Sequence, residues 1–164
     1  MARRWILLIG GLIGVLAGCG APPPAPPEPP AVPAPPAACV LDADKLRAAT
    51  GVVWTAETAT ATATRCVYDP DGPQGPVFAA VTIVDGSAAA GLDTVAEACV
   101  SGTRQVAGSG FVCRLGAADR DTGSVLAATN GGGQLITVTV SAAPAGTTVE
   151  AVTRALADQL PALS

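Results

Sequence analysis

The sequence predicts an α+β domain, an antiparallel sheet packed by two longer helices and one short one and held by two disulfides. Three observations predict it. From about residue 104 to residue 141, four strand-like runs are separated by only a few turn-forming residues. Such connections are too short for the crossover that a parallel pair needs. Two other stretches, near 88–100 and 148–160, space their apolar residues at helical period. Four cysteines, an even number, fall in the foldable part of the chain.

The elements follow in order. Asp42 is placed to cap a short helix over 43–50, and Gly51 to end it as the C′ residue. Residues 52–55 read as a strand. The Thr/Ala alternation of 58–64 has strand period but no distinct faces, so a mobile loop or an edge strand is expected. Its threonines are also of the kind that exported chains O-glycosylate. A strand over 65–68 runs into the turn sequence Asp69-Pro70-Asp71-Gly72-Pro73. Residues 77–84, uncharged and with bulky side chains on both faces, form the next strand.

A helix is expected over 88–100, with Leu92, Val95, Ala96 and Cys99 on one stripe and Gly102 after its end. Strands over 104–107, 111–115, 124–129 and 134–141 are joined by turns at 108–110, 119–123 and 130–133. In the last strand Ile136, Val138 and Val140 make an apolar face, and Leu135, Thr137 and Thr139 a mixed one. Thr147 or Thr148 caps a final helix reaching about Leu160, with Val149, Val152, Leu156 and Leu160 turned inward. The apolar supply is alanine and valine, and the aromatics beyond residue 18 are Trp54, Tyr68, Phe78 and Phe111. Small side chains bury little area each, so the core is thin and these aromatics are expected inside it. A ligand-lining role for one of them is the alternative.

The cysteines compensate for a thin core. Cys39, Cys66, Cys99 and Cys113 allow three pairings. Cys39–Cys66 with Cys99–Cys113 is preferred, because the first ties the start of the domain to a strand and the second a helix end to the next strand. A metal site would want C-x₂₋₄-C spacing or histidine partners, and neither is present. Disulfides in turn imply an oxidising compartment.

The N-terminus implies the same compartment. Arg3 and Arg4 precede a mostly apolar stretch, 5–17, and Leu16-Ala17-Gly18-Cys19 closes it. That order is a secretory signal's: basic start, apolar middle, small residues at the cut. A cysteine at the cut looks like a bacterial lipobox, with residues 1–18 removed and Cys19 lipidated on sulfur, the acyl chains being of the palmitate type. About thirteen apolar residues fall short of the ~20 that span hydrocarbon. A cut after Ala21, as in an ordinary secretory signal, would place Pro22 next. Residues 19–38 then read as the lipidated cysteine and a spacer. Residues 22–36 hold ten prolines in fifteen positions, which favours polyproline II and a reach of about 45 Å. A PxxP ligand is the less suitable reading for an exported chain. Residues 39–164 form the single extracytoplasmic domain.

Charge and composition exclude much. Without Arg3 and Arg4, seven Lys/Arg face thirteen Asp/Glu, an excess of six negative charges. With Lys45 its single lysine, the domain has no basic footprint for nucleic acid. The chain contains no histidine, which removes Ser-His-Asp and Cys-His catalysis and imidazole metal ligands. Paired cysteines leave no thiol nucleophile. Asp69-Pro70-Asp71-Gly72 opens like a calcium loop, but Phe78 stands where the motif needs glutamate. Asp119-Arg120-Asp121 offers two carboxylates in a turn, which are expected to be solvated rather than catalytic. No lysine follows a glycine as a phosphate loop requires, and Lys45 has Asp42 three residues before it, an exposed pair.

The lipobox, the Pro/Ala spacer, Cys39-Val40-Leu41 ahead of a helix ending at Gly51, and Cys66-Val67-Tyr68 together resemble small actinobacterial lipoproteins, in particular the domain of unknown function 3558 family. A weaker similarity runs to the extracellular sensor domains of mycobacterial receptor kinases. The resemblance implies an envelope location and brings no catalytic residues. The expectation is a lipid-anchored, non-enzymatic protein on the extracytoplasmic face of the cell membrane. It would bind an envelope protein, lipid or glycan through ligand-binding residues that the sequence leaves unknown, without metal or cofactor. A carboxylate-based envelope hydrolase and a purely structural accessory protein are the alternatives.

Overall fold

Among the described residues, seven strands, all paired antiparallel, make one sheet. A computed structural model describes residues 37–86, 88–116 and 123–164, with backbone alone at 88 and 89. The strands are β1 (Trp54–Ala56), β2 (Arg65–Pro70), β3 (Ala79–Asp85), β4 (Gln105–Ala107), β5 (Gly110–Arg114), β6 (Val125–Gly131) and β7 (Gln134–Val140). The helices are α1 (Ala43–Thr50), α2 (Ala88–Ala96), α3 (Val149–Ala157) and the single turn α4 (Leu160–Leu163). Across the sheet the order is β1-β2-β3-β7-β6-β5-β4. The chain leaves β3 through α2, enters the far edge at β4, and returns strand by strand until β7 pairs with β3. The late meander is therefore the one that short connections demand. Between β6 and β7 two residues suffice: Gly132 and Gly133 take φ of +58° and +82°, the double positive φ of a type I′ turn.

Strand alternation sorts the side chains. On one face a row of paired residues runs Cys66, Val81, Val138, Ala127, Val112 and Gln105. The adjacent row runs Tyr68, Ala79, Val140, Val125 and Arg114. Both rows are mainly apolar, and both end on a polar side chain at the β4–β5 edge. Leu46 of α1, Val152, Ala155 and Leu156 of α3, and Leu160 pack on this face to form the main core with Trp54 and Tyr68. The opposite face carries a smaller cluster, Phe111, Cys113, Leu126 and Ala128, against Leu92, Val95, Ala96 and Cys99. That set includes the whole stripe expected from helical spacing.

Local signals set the first helix. Asp42 accepts from the Lys45 N–H at 3.0 Å, Gly51 closes α1 with φ +71°, and the Lys45 ammonium stands 3.8 Å from Asp42. A distant contact fixes the same corner, because the Asp42 N–H donates to Oε1 of buried Gln159 at 2.7 Å. Tyr68 closes the core from below α1. Its hydroxyl accepts from the Leu41 N–H at 3.0 Å and donates to the Leu41 carbonyl at 3.4 Å.

Several boundaries depart from the sequence reading. The second helix ends at Ala96 rather than residue 100, because Cys99 is drawn into a bridge with Leu115 and a disulfide with Cys113. The last helix breaks after Ala157. Pro161 lacks an N–H and its ring would crowd the Ala157 carbonyl, so the chain restarts as α4 while Leu160 stays buried. The strand expected at 52–55 lies at Trp54–Ala56, and β2 runs on through Asp69 to Pro70 opposite Trp54. Residues 58–64 connect β1 to β2 rather than forming an edge strand. The Thr62 hydroxyl accepts from the N–H groups of Thr64 and Arg65. Among the described residues no helix is long and apolar enough to cross a membrane.

Candidate functional site

The two apolar rows end where α3 runs past the β4–β5 edge, and a cleft of about 500 Å³ opens there. Thr103, Gln105 and Arg114 line it from the sheet side, and Val149, Glu150, Thr153, Arg154 and Ala157 from α3. The helix residues fall into two i, i+4 ladders, 149/153/157 and 150/154, so one flank of α3 supplies them all. Gln105 pairs across to Val112 and Arg114 to Val125, which turns both toward the α3 side of the sheet.

The sheet wall of the cleft is stapled. The Cys99–Cys113 disulfide (Cα–Cα 5.6 Å) holds residues 99–103 beside β5. The Val100 N–H donates to the Arg114 carbonyl at 2.9 Å, and the Arg114 N–H donates to the Thr103 hydroxyl at 3.2 Å. Both hydroxyl protons in the cleft are already used. Thr103 donates to the Val100 carbonyl at 2.7 Å, and Thr153 to the Val149 carbonyl at 2.8 Å. Among the described residues, the Gln105 amide and the Arg154 guanidinium have no hydrogen-bond or ion-pair partner. Among the described residues, the groups left to meet a ligand are therefore the Arg154 donors, the Gln105 amide, which both donates and accepts, and the Glu150 carboxylate.

The residues singled out in the sequence are placed as follows. Cys39–Cys66 (S–S 2.04 Å) and Cys99–Cys113 (S–S 2.07 Å) are the two disulfides, in the preferred pairing. Trp54, Tyr68 and Phe111 are buried, but Phe78 is 39% exposed, contrary to the expectation that every aromatic enters the core. It sits one residue before β3, on the parity opposite Ala79, where it faces away from the main core. Asp69 and Asp71 lie at the end of β2 with Thr55 and Glu57 on a shallow surface depression. Among the described residues no group of three or more metal-ligating side chains is assembled. Cys19, the spacer, and the Asp119-Arg120-Asp121 turn lie outside the described residues. The cleft was missed from sequence. Its signal was Arg114, two positions after inward Val112 on a strand of alternating period, a polar side chain at a core-facing position.

Among the described residues, the one shifted titration is structural. Burial raises the Tyr68 phenol above its ordinary 10.0, and the hydrogen bond with Leu41 acts in the opposite direction. In comparisons with known proteins, no family model matches the chain, and no curated protein or solved structure matches it.

Proposed function

We propose that this chain is a membrane-anchored lipoprotein whose extracytoplasmic domain is a non-enzymatic binding module, with the cleft between α3 and the β4–β5 edge as its ligand site. The observation that carries the binding role is the character of the cleft. Guanidinium groups stay protonated at any pH a cell maintains, and a carboxamide does not titrate, so Arg154 and Gln105 hold a ligand without relaying a proton, beside the Glu150 carboxylate. The four domain cysteines are spent in disulfides, which suits an oxidising compartment. The Leu16-Ala17-Gly18-Cys19 sequence supports export and acylation. The partner is a component of the envelope, a protein, lipid or glycan.

The test is purification of the full-length chain from its native envelope under mild conditions, with a photo-crosslinking residue at position 105. Mass spectrometry should find an acylated Cys19 and a molecule crosslinked at the cleft. An unmodified Cys19 would overturn the anchor. Repeated failure to crosslink anything at position 105, while a crosslinker elsewhere on the surface captures a partner, would overturn the cleft as the site.

A further inference from the structure

We infer that Thr58 and Thr60, in the connection between β1 and β2, are O-glycosylation sites, each carrying a sugar on its Oγ1. The inference rests on the reading of the chain as exported and is independent of the cleft. Residues 58–64 alternate threonine with alanine and include no charged or bulky side chain. The ends of the connection are held. The Glu57 N–H donates to the Val67 carbonyl at 2.8 Å, the Thr62 N–H donates to the Arg65 carbonyl at 2.8 Å, and Ala61 packs against the main core. Between those points the hydrogen bonds are local, from the Thr58 N–H to the Ala56 carbonyl and from the Thr60 N–H to the Glu57 carbonyl. Thr58 and Thr60 are therefore exposed on a turn outside the sheet ladder, and exposed Ala59 between them leaves room for a bulky group.

Hydroxyl accounting separates these two threonines from their neighbours. A threonine oxygen has one proton and two lone pairs. Thr62 Oγ1 accepts from the N–H groups of Thr64 at 3.2 Å and Arg65 at 3.0 Å, which fills both lone pairs, and it lies 3.4 Å from Thr64 Oγ1. Buried Thr50 donates to the Leu46 carbonyl at 2.7 Å and accepts from Trp54 Nε1 at 3.1 Å. Among the described residues, the hydroxyls of Thr58 and Thr60 have no hydrogen-bond partner. A sugar on Thr50 would have to enter the core, and one on Thr62 would displace the N–H groups that start β2. At positions 58 and 60 it meets solvent. The fold accepts the same two sites whether the sugar is added before or after folding. Threonine-rich segments of exported chains are the usual acceptors of such sugars. In the transfer, Oγ1 attacks the anomeric carbon of a sugar carried on a lipid phosphate. The new C–O bond forms as the sugar–phosphate bond breaks, the phosphate leaves with that electron pair, and the hydroxyl proton passes to a base of the transferase.

The test uses the chain purified from its native envelope and cut with trypsin, which releases residues 48–65 as one peptide holding Thr50, Thr55, Thr58, Thr60, Thr62 and Thr64. Fragmentation by electron transfer, which leaves glycosidic bonds intact, should place sugar on Thr58 and Thr60 and none on Thr50 or Thr62. The double variant Thr58→Ala, Thr60→Ala should yield the same peptide at the mass of its sequence alone. Sugar on Thr50 or Thr62, sugar only at other positions, an adduct that is not a sugar, or sugar persisting on the double variant would overturn the assignment. The Cys19 peptide of the same digest separates this inference from the reading beneath it. Acylated Cys19 beside a bare 48–65 peptide leaves export standing and removes the sugar. Unmodified Cys19 beside a bare peptide removes both, and unmodified Cys19 beside a glycosylated peptide removes the anchor alone.

Discussion

At the residue scale, Tyr68 and Gly110 show how little slack the core has. Tyr68 is the chain's one tyrosine, and its hydroxyl satisfies both backbone groups of buried Leu41. Tyr68→Phe leaves that N–H and C=O without the phenol, at a cost of about 1–3 kcal/mol in unfolding free energy. The same phenol gives stability a pH dependence. Its folded pKa is raised, so the folded state keeps the proton after the unfolded chain has released it. The contribution is complete below about pH 10 and is lost as pH climbs through the folded value. The urea midpoint should therefore fall above pH 10 in the native chain and fall less in Tyr68→Phe, with phenolate absorbance reporting the titration directly. Gly110 is constrained by its neighbours rather than by φ. A Cβ there would overlap the Ala128 carbonyl oxygen and come within 2.8 Å of the Thr129 Cα, both backbone groups of the adjoining strand. Gly110→Ala should lower stability by about 2–4 kcal/mol in urea denaturation, since β5 and β6 must separate to admit one methyl group.

At the scale of elements, the two disulfides divide the work unequally. Cys39–Cys66 closes 27 residues and Cys99–Cys113 closes 14. Chain-entropy arithmetic assigns them roughly 3.5 and 3 kcal/mol. Replacing Cys39 and Cys66 together by alanine should lower Tm by about 10 °C. The drop should exceed that from replacing Cys99 and Cys113, a ranking that calorimetry reads directly. The elements also mark how far the sequence could be read. The α1 boundaries were legible to the residue because Asp42 and Gly51 act locally. The pairing of the late strands was legible because their connections are short. The end of α2 was not, because what stops it is the bridge from Cys99 to Leu115, a contact across the sheet rather than a signal in the helix. The break between α3 and α4 was written in Pro161, whose effect falls four residues upstream, and the apolar stripe continuing to Leu160 concealed it. The cleft was hidden for a related reason. Gln105 and Arg114 belong to different strands, Glu150 and Arg154 to a helix about forty residues later, and only the antiparallel return of the chain brings them together.

At the scale of the whole molecule, the proposed anchor and the charge of the domain make opposite demands, and salt separates them. A domain with five excess negative charges over residues 39–164 and one lysine would be repelled by an anionic bilayer surface, so electrostatics would not hold it there. Under the proposed function, attachment would come from acyl chains on Cys19, each buried methylene contributing about 0.8 kcal/mol and two or more chains giving a stable hold. Under the same proposal, a spacer of polyproline II composition would reach about 45 Å, beyond the roughly 10 Å over which a surface potential acts at 0.1 M salt. Raising ionic strength screens a repulsion rather than an attraction. Membranes carrying the full-length chain, washed at rising salt, should therefore retain it at 1 M as fully as at 0.05 M. A chain held by charged contacts would be released over the same range. Cys19→Ser removes the sulfur that carries lipid, and its chain should leave the detergent phase in phase partitioning, or keep its leader. Salt-dependent release of the native chain would overturn the anchor, and with it the reason for a spacer of this length.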